Sequence, residues 1–176
     1  MADVKSILLV GVGGQGTILA SKILSTGLLE AGYDVKMSEI HGMAQRGGSV
    51  STQVRYGNKV FSPIIGKGEA DILVSFESME ALRWLEYLKP NGKVVVNDYE
   101  IPSAPILAGK QDYPKGVINI IENKVNASVI NAGKIAEELG NTKVMNVVLF
   151  GALIKAMDLT HIDWEKVIKD TVKEKF

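Results

Sequence analysis

The sequence predicts a three-layer α/β/α sandwich built on a mostly parallel, doubly wound sheet with an antiparallel hairpin insertion. Apolar runs of strand length alternate with segments that carry apolar residues at helical spacing. A glycine-rich turn follows the first apolar run, and one link between two β-rich segments is too short for a crossover helix. With 176 residues, 46% of them apolar, the chain is expected to form one domain over residues 1–176.

The N-terminal third has the pattern of a strand, a helix and a second strand. ILLVGVGGQG predicts a buried parallel strand that ends in a glycine turn, and TILASKILSTGLLEAG continues at helical spacing to Gly32. DVKMSEI predicts the second strand. This unit is therefore expected to end near Ile40.

The next two segments are expected to form the antiparallel hairpin. SVSTQVRYG and NKVFSPII are both rich in residues that favour strands, and they meet at residues 56–59. ADILVSF, SMEALRWLEYL and GKVVVND then predict strand, helix and strand, which resumes the parallel sheet.

The C-terminal part is expected to be mainly helical after an irregular segment. Three prolines predict that residues 101–116 are irregular, and GVINIIENKV is compatible with either a helix or a strand. NASVINAGKIAEELG predicts a short strand and a helix, and NTKVMNVVLFGALIKAM a buried helix capped by Asn141 or Thr142. The last segment predicts a charged helix whose packing stripe consists of Trp164, Val167, Ile168 and Val172.

The first glycine turn fits the GxGxxG pattern of a Rossmann-like fold. Glycines permit a tight turn and close approach of a ligand, and the exposed amides of the following helix can bind a phosphate. The same glycines can also serve only to pack the helix against its strand. The residues concerned are Gly11, Gly13, Gly14, Gln15 and Gly16.

A second group of polar residues lies in EIHGMAQRGGSV. Glu39 is close to the position of the acidic residue that binds a ribose in dinucleotide sites, about 20 residues after the glycines. Arg46 before Gly47 and Gly48 suits an anion, because a guanidinium fork lies beside freely oriented amides. His41 can donate or accept a proton near neutral pH, and Gln45 adds an amide. A solvated loop with an arginine ion pair explains the same residues.

Composition excludes several other classes of function. Twenty basic residues balance twenty acidic ones, so bulk charge indicates neither a nucleic-acid partner nor a membrane surface. The chain has no cysteine and two histidines far apart, so we expect no metal site and no iron–sulfur cluster on it. No segment has the length of a membrane span or the form of a signal peptide, which predicts a cytoplasmic protein. No catalytic residue can be assigned.

The two loops together resemble those of a known family. GVGGQGTILASKIL followed by SEIHGMAQRGGSV, and later INAGKIAEELGN and KVMNVVLFGAL, resemble the gamma-type domain of 2-oxoacid:ferredoxin oxidoreductases, and most closely the beta-subunit group of the indolepyruvate enzymes. The resemblance covers nearly the whole chain. Its most specific part is the combination of GVGGQG with HGMAQRGGSV at this separation.

The resemblance implies a hetero-oligomeric enzyme that oxidatively decarboxylates aryl pyruvates to aryl-acetyl-coenzyme A and passes electrons to ferredoxin. This chain would be the smaller subunit and inactive alone, with coenzyme A as co-substrate. The larger subunit would carry thiamine diphosphate, magnesium and the iron–sulfur clusters. The absence here of cysteines and of a GDG motif agrees with this division. The two loops would form the functional surface, and Arg46 would contact a coenzyme A phosphate or the substrate carboxylate.

Two other functions remain compatible with the sequence. A self-sufficient dinucleotide-binding oxidoreductase would use the glycine turn and Glu39, although no catalytic group accompanies them. A purely structural assembly subunit would use the loops only to complete an interface. In either subunit function, the isolated chain is expected to expose an apolar patch through which it can form a homodimer.

Overall fold

The computed structural model describes residues 4–41 and 47–172. Within these ranges the chain forms six strands, which belong to one sheet. They are β1 (Lys5–Val12), β2 (Asp34–His41), β3 (Ser49–Gly57), β4 (Ala70–Ser75), β5 (Leu88–Asn97) and β6 (Asn126–Ile130). Their order across the sheet is β2-β3-β1-β4-β5-β6.

Seven α-helices accompany these strands in the described part of the chain. They are α1 (Thr17–Glu30), α2 (Ser78–Arg83), α3 (Ala104–Leu107), α4 (Val117–Lys124), α5 (Ala132–Glu138), α6 (Met145–Ala156) and α7 (Trp164–Thr171). Short 3₁₀ helices at Leu85–Tyr87 and Thr142–Val144 precede β5 and α6. None of the described helices is long and apolar enough to cross a membrane.

The sheet is buried on both faces, which confirms the three-layer prediction. Along β1, Leu9 belongs to the core cluster that includes residues of α1, α6 and α7, whereas Leu8 belongs to the cluster that includes residues of α2 and α4. Successive strand residues point to opposite faces, so β1 fills both cores. Its near-continuous apolar sequence is typical of a central parallel strand.

One strand runs against the others. Strand β3 is antiparallel to both β1 and β2, whereas β4 pairs in parallel with β1 and β5, and β6 in parallel with β5. The sheet is therefore mostly parallel with one antiparallel intrusion, as predicted.

The partner predicted for the antiparallel strand is wrong, because residues 58–69 form no strand. Both edges of β3 are already occupied, by β1 and β2, so a further strand cannot pair with it. The segment instead packs on the face of β3. There the Ile65 N–H donates to Gln53 Oε1 at 2.6 Å, and Arg55 Nη1 donates to the carbonyls of Ser62 and Ile64.

The C-terminal predictions are mostly confirmed. The proline-containing segment has only α3 as regular structure, and the ambiguous segment after it is the helix α4. Val167 of α7 is buried, and Trp164, Ile168 and Val172 pack against the same core cluster as predicted. The helix predicted from SMEALRWLEYL is shorter, since α2 ends at Arg83 and a 3₁₀ turn leads directly into β5.

Candidate functional site

The two glycine-containing loops lie together at the carboxyl edge of the sheet. The Gly13 N–H donates to the Gly48 carbonyl at 2.9 Å, and the Gly47 N–H donates to the Gly13 carbonyl at 3.3 Å. These bonds extend the β1–β3 pairing, whose last partners are Val12 and Ser49. Within the described residues, the two loops therefore meet at one edge of the sheet. In folds of this type ligands collect at the carboxyl ends of the parallel strands.

Gln15 fastens the glycine loop, defined here as residues 13–16, to two strands. Its Oε1 accepts from the Val12 N–H at 2.7 Å, and its Nε2 donates to the Phe76 carbonyl at 2.7 Å. Both polar groups of the side chain are thus bound to the backbone of the chain. The position of the glycine loop relative to β1 and β4 depends on this side chain.

The glycine loop leads into an uncapped helix start. Gly14 and Gly16 have positive φ angles of 104° and 81°, a backbone conformation that residues other than glycine rarely adopt. No side chain caps α1 at its N-cap residue Gly16. The first-turn N–H groups of a helix lack partners within it and carry the positive end of the helix dipole, so this start suits an anion.

A cavity of about 360 Å³ opens beside this helix start. It lies where the glycine loop and α1 meet the ends of β2 and β3. Its described lining residues are Gly13, Gly14, Gly16, Thr17, Ile18, Ile40, Val50, Ser51 and Thr52. A Cβ added to Gly14 would meet nothing within 4 Å, so a ligand can approach this part of the backbone closely.

Of the other predicted site residues, the structure describes three and leaves two outside the described ranges. Glu39 lies on β2, where its Oε1 accepts from Ser21 Oγ of α1 at 3.4 Å, and His41 is the last residue of that strand, paired with Val50. Gly11 lies inside β1, opposite Val50. Gln45 and Arg46 lie outside the described residues.

A buried acidic residue that the sequence patterns did not indicate lies at the same edge. Glu77 follows β4, is fully buried and accepts hydrogen bonds from the N–H groups of Glu80 and Ile101 and from the Tyr113 hydroxyl. Burial, and then the hydrogen bond and negative charge of Glu77, raise the pKa of Tyr113. Glu77 thereby ties the irregular segment after β5 to the start of α2.

Asn97, at the end of β5, was also missed. Its Nδ2 donates to the same Phe76 carbonyl that Gln15 binds, at 3.2 Å, and its Oδ1 accepts from the Ala132 N–H at 3.0 Å. The side-chain amides of Gln15 and Asn97 therefore link the carboxyl ends of β1, β4 and β5 with the start of α5. In the sequence, Glu77 and Asn97 can be recognised as polar residues at the end of an apolar run, in VSFES and VVVND.

The described residues include no cluster of three or more histidine and acidic side chains that could hold a metal ion. The chemistry that the edge offers is dominated by backbone donors, glycines and one helix start. Such groups bind and orient an anionic ligand.

Comparison with known proteins places the chain in a family. The family model described as pyruvate ferredoxin/flavodoxin oxidoreductase matches residues 6–176. The chain belongs to this family. Among its relatives is the indolepyruvate oxidoreductase subunit IorB of Pyrococcus horikoshii, 42% identical over 152 residues, 84% of this chain and 75% of that protein. The subunit of the same name from Archaeoglobus fulgidus is 40% identical over 177 residues, 97% of this chain and 87% of that protein.

Solved structures of similar fold also belong to the oxoacid oxidoreductases. The gamma subunit of a keto/oxoacid ferredoxin oxidoreductase from Geobacter sulfurreducens has a TM-score of 0.68 at 23% identity, over 98% of this chain and 89% of that chain. The 2-oxoglutarate:ferredoxin oxidoreductase from Magnetococcus marinus, solved with 2-oxoglutarate, coenzyme A and succinyl-CoA bound, has a TM-score of 0.69 at 21% identity. That match covers 98% of this chain but 27% of the other, so there the same fold is one part of a longer chain.

Proposed function

We propose that this chain is the smaller subunit of an indolepyruvate-type 2-oxoacid:ferredoxin oxidoreductase in the cytoplasm. The complex oxidatively decarboxylates aryl pyruvates to aryl-acetyl-coenzyme A and transfers the electrons to ferredoxin. The observation that carries the proposal is the identity of about 40% to indolepyruvate oxidoreductase subunits over most of the chain. The chain has no cysteine to ligate an iron–sulfur cluster, which agrees with clusters carried by the larger subunit.

The reacting groups belong to the larger subunit in this proposal. Thiamine diphosphate held there with magnesium would supply the carbanion chemistry of decarboxylation, and iron–sulfur clusters there would serve as electron acceptors. This chain binds and orients the anionic part of coenzyme A at the carboxyl edge of its sheet. The donors are the amides of the glycine loop and of the first turn of α1, together with the loop of His41, Gln45, Arg46, Gly47 and Gly48. The coenzyme A bound in the 2-oxoglutarate enzyme of the same fold supports this choice of ligand.

A purely structural role for the loops has one observation in its favour. The two glycine-containing loops bind each other through Gly13, and Gln15 binds the backbone of Val12 and Phe76, so protein contacts alone hold this edge together. In that case the loops would only complete the interface with the larger subunit, and no substitution at the edge would change the affinity for coenzyme A alone.

The first experiment is a pull-down of the tagged chain from its native extract. The eluate is assayed for reduction of a viologen dye that depends on both a 2-oxoacid and coenzyme A. A large cysteine-rich partner, with activity on indolepyruvate, is expected. If the chain returns without a partner and carries a tightly bound nucleotide of its own, the subunit function is wrong.

A further inference from the structure

We propose that the side-chain amide of Asn146, at the start of α6, is a further ligand-binding group of the site at the start of α1. Its Nδ2 donates a hydrogen bond to a phosphate oxygen of the ligand that the first-turn amides of α1 also bind. This inference rests on the proposed function, and it adds a residue that lies 130 positions after the glycine loop in the sequence.

Asn146 is a buried amide on an otherwise apolar helix face. It is 7% exposed, and the other buried residues of α6 are Leu149, Phe150, Leu153 and Ile154. A buried amide is normally satisfied by hydrogen bonds. Here Oδ1 accepts from the Val147 N–H at 3.0 Å, whereas no described residue accepts from Nδ2.

The Nδ2 atom lies directly against the glycine loop. A Cβ added to Gly16 would be 2.5 Å from Asn146 Nδ2 and 3.2 Å from its Cγ. Gly16 is the uncapped N-cap residue of the 14-residue helix α1. The amide donor of Asn146 is therefore next to first-turn backbone donors of α1, for which no residue in the described part of the chain supplies an acceptor. Asn146 itself is the second residue of α6, whose first-turn Val147 N–H is already bound by the Asn146 Oδ1 atom.

This combination selects the chemistry of the ligand. N–H donors beside the positive end of α1 attract an anion and repel a cation. A phosphate suits them best, because its several oxygens can accept from a side-chain amide and from backbone amides at the same time. Coenzyme A brings phosphates and the 2-oxoacid brings a carboxylate, and kinetics can separate the two.

The test uses the complex reconstituted with its native larger subunit and the variants Asn146→Asp and Asn146→Ala. Asn146→Asp replaces the donor with a negative charge, so we expect the KM for coenzyme A to rise about tenfold or more. Asn146→Ala removes the donor without adding charge and should raise this KM by a smaller factor. In both variants the KM for indolepyruvate should change less than about twofold. Asn146→Ala keeps the test decisive if the aspartate variant does not assemble.

Asn123→Asp is the matched control, because Asn123 is exposed on α4 and the substitution adds the same charge. Its KM for coenzyme A should equal that of the wild type. An unchanged KM for coenzyme A in Asn146→Ala and Asn146→Asp would overturn the assignment, and so would a rise confined to the KM for indolepyruvate. If the wild-type complex itself needs no coenzyme A, the proposed function is wrong. That outcome is distinct from an unchanged KM in the Asn146 variants, which overturns only the assignment of Asn146.

Discussion

Gln15 shows how one side chain can set the geometry of a loop without contacting a ligand. The amide spans from the Val12 N–H to the Phe76 carbonyl, and both of those residues are buried. A hydrocarbon side chain can satisfy neither group. An amide suits position 15, between Gly14 and Gly16, because the Val12 N–H needs an acceptor and the Phe76 carbonyl needs a donor.

We predict that Gln15→Ala lowers the free energy of unfolding by about 1–3 kcal/mol, because the Val12 N–H loses its partner in a buried place. Urea unfolding of the isolated chain measures this difference. Gln111→Ala is the control, since Gln111 is exposed, and it should change the value by less than about 0.5 kcal/mol. Equal effects of the two substitutions would show that the bonds of Gln15 contribute nothing to stability.

At the scale of elements, Trp164 makes the tightest described contact between helix α7 and helix α1. Trp164 lies over Gly27, makes an edge-to-face contact with Phe150 at 5.1 Å and donates from Nε1 to the Leu159 carbonyl at 2.8 Å. Gly27 in the middle of α1 weakens that helix by itself. It is present because a Cβ there would lie 2.3 Å from Cζ3 of the Trp164 ring.

Two alanine substitutions at helical glycines should therefore have opposite effects. Gly27→Ala is expected to destabilise the chain by about 1–3 kcal/mol, because overpacking outweighs the better helix propensity. Gly151→Ala, in α6, is expected to stabilise it by about 0.5–1 kcal/mol, because a Cβ there meets no atom within 4 Å. Thermal and urea unfolding of both variants test the pair. A stabilising Gly27→Ala would mean that Trp164 does not occupy this position in solution.

At the scale of the whole molecule, the strand order argues against a dinucleotide site at the glycine turn. In dinucleotide-binding folds the acidic residue that binds the ribose lies on the strand next to the first one. Here β3 lies between β1 and β2, so Glu39 is two strand spacings, about 10 Å, from β1. Glu39 also faces Ser21 of α1.

We therefore predict that the isolated chain binds neither NAD, NADP nor FAD. Isothermal titration should show no saturable heat with any of the three at millimolar concentration, whereas an NAD-dependent dehydrogenase titrated alongside should. Saturable binding of one of these dinucleotides that is lost in Glu39→Ala would revive the dinucleotide function.

Much of the architecture follows from the sequence alone. Local patterns suffice for most elements: the apolar run before the glycines predicts β1, and the 3.6-residue periodicity predicts α1 and the packing face of α7. The composition of the two loops, read with their separation, was enough to indicate the family. These features are local, because hydrophobic period and turn residues act within one element at a time.

The tertiary structure alone decided which elements pair and which polar side chains meet. Residues 49–57 and residues 58–65 both carry residues that favour strands, yet only the first segment is a strand, because pairing depends on which sheet edge is free. Likewise Asn146 and Gly16 are far apart in the chain, and no periodicity relates them. Their contact depends on how α6 packs beside α1, which is a property of the assembled core and not of either segment.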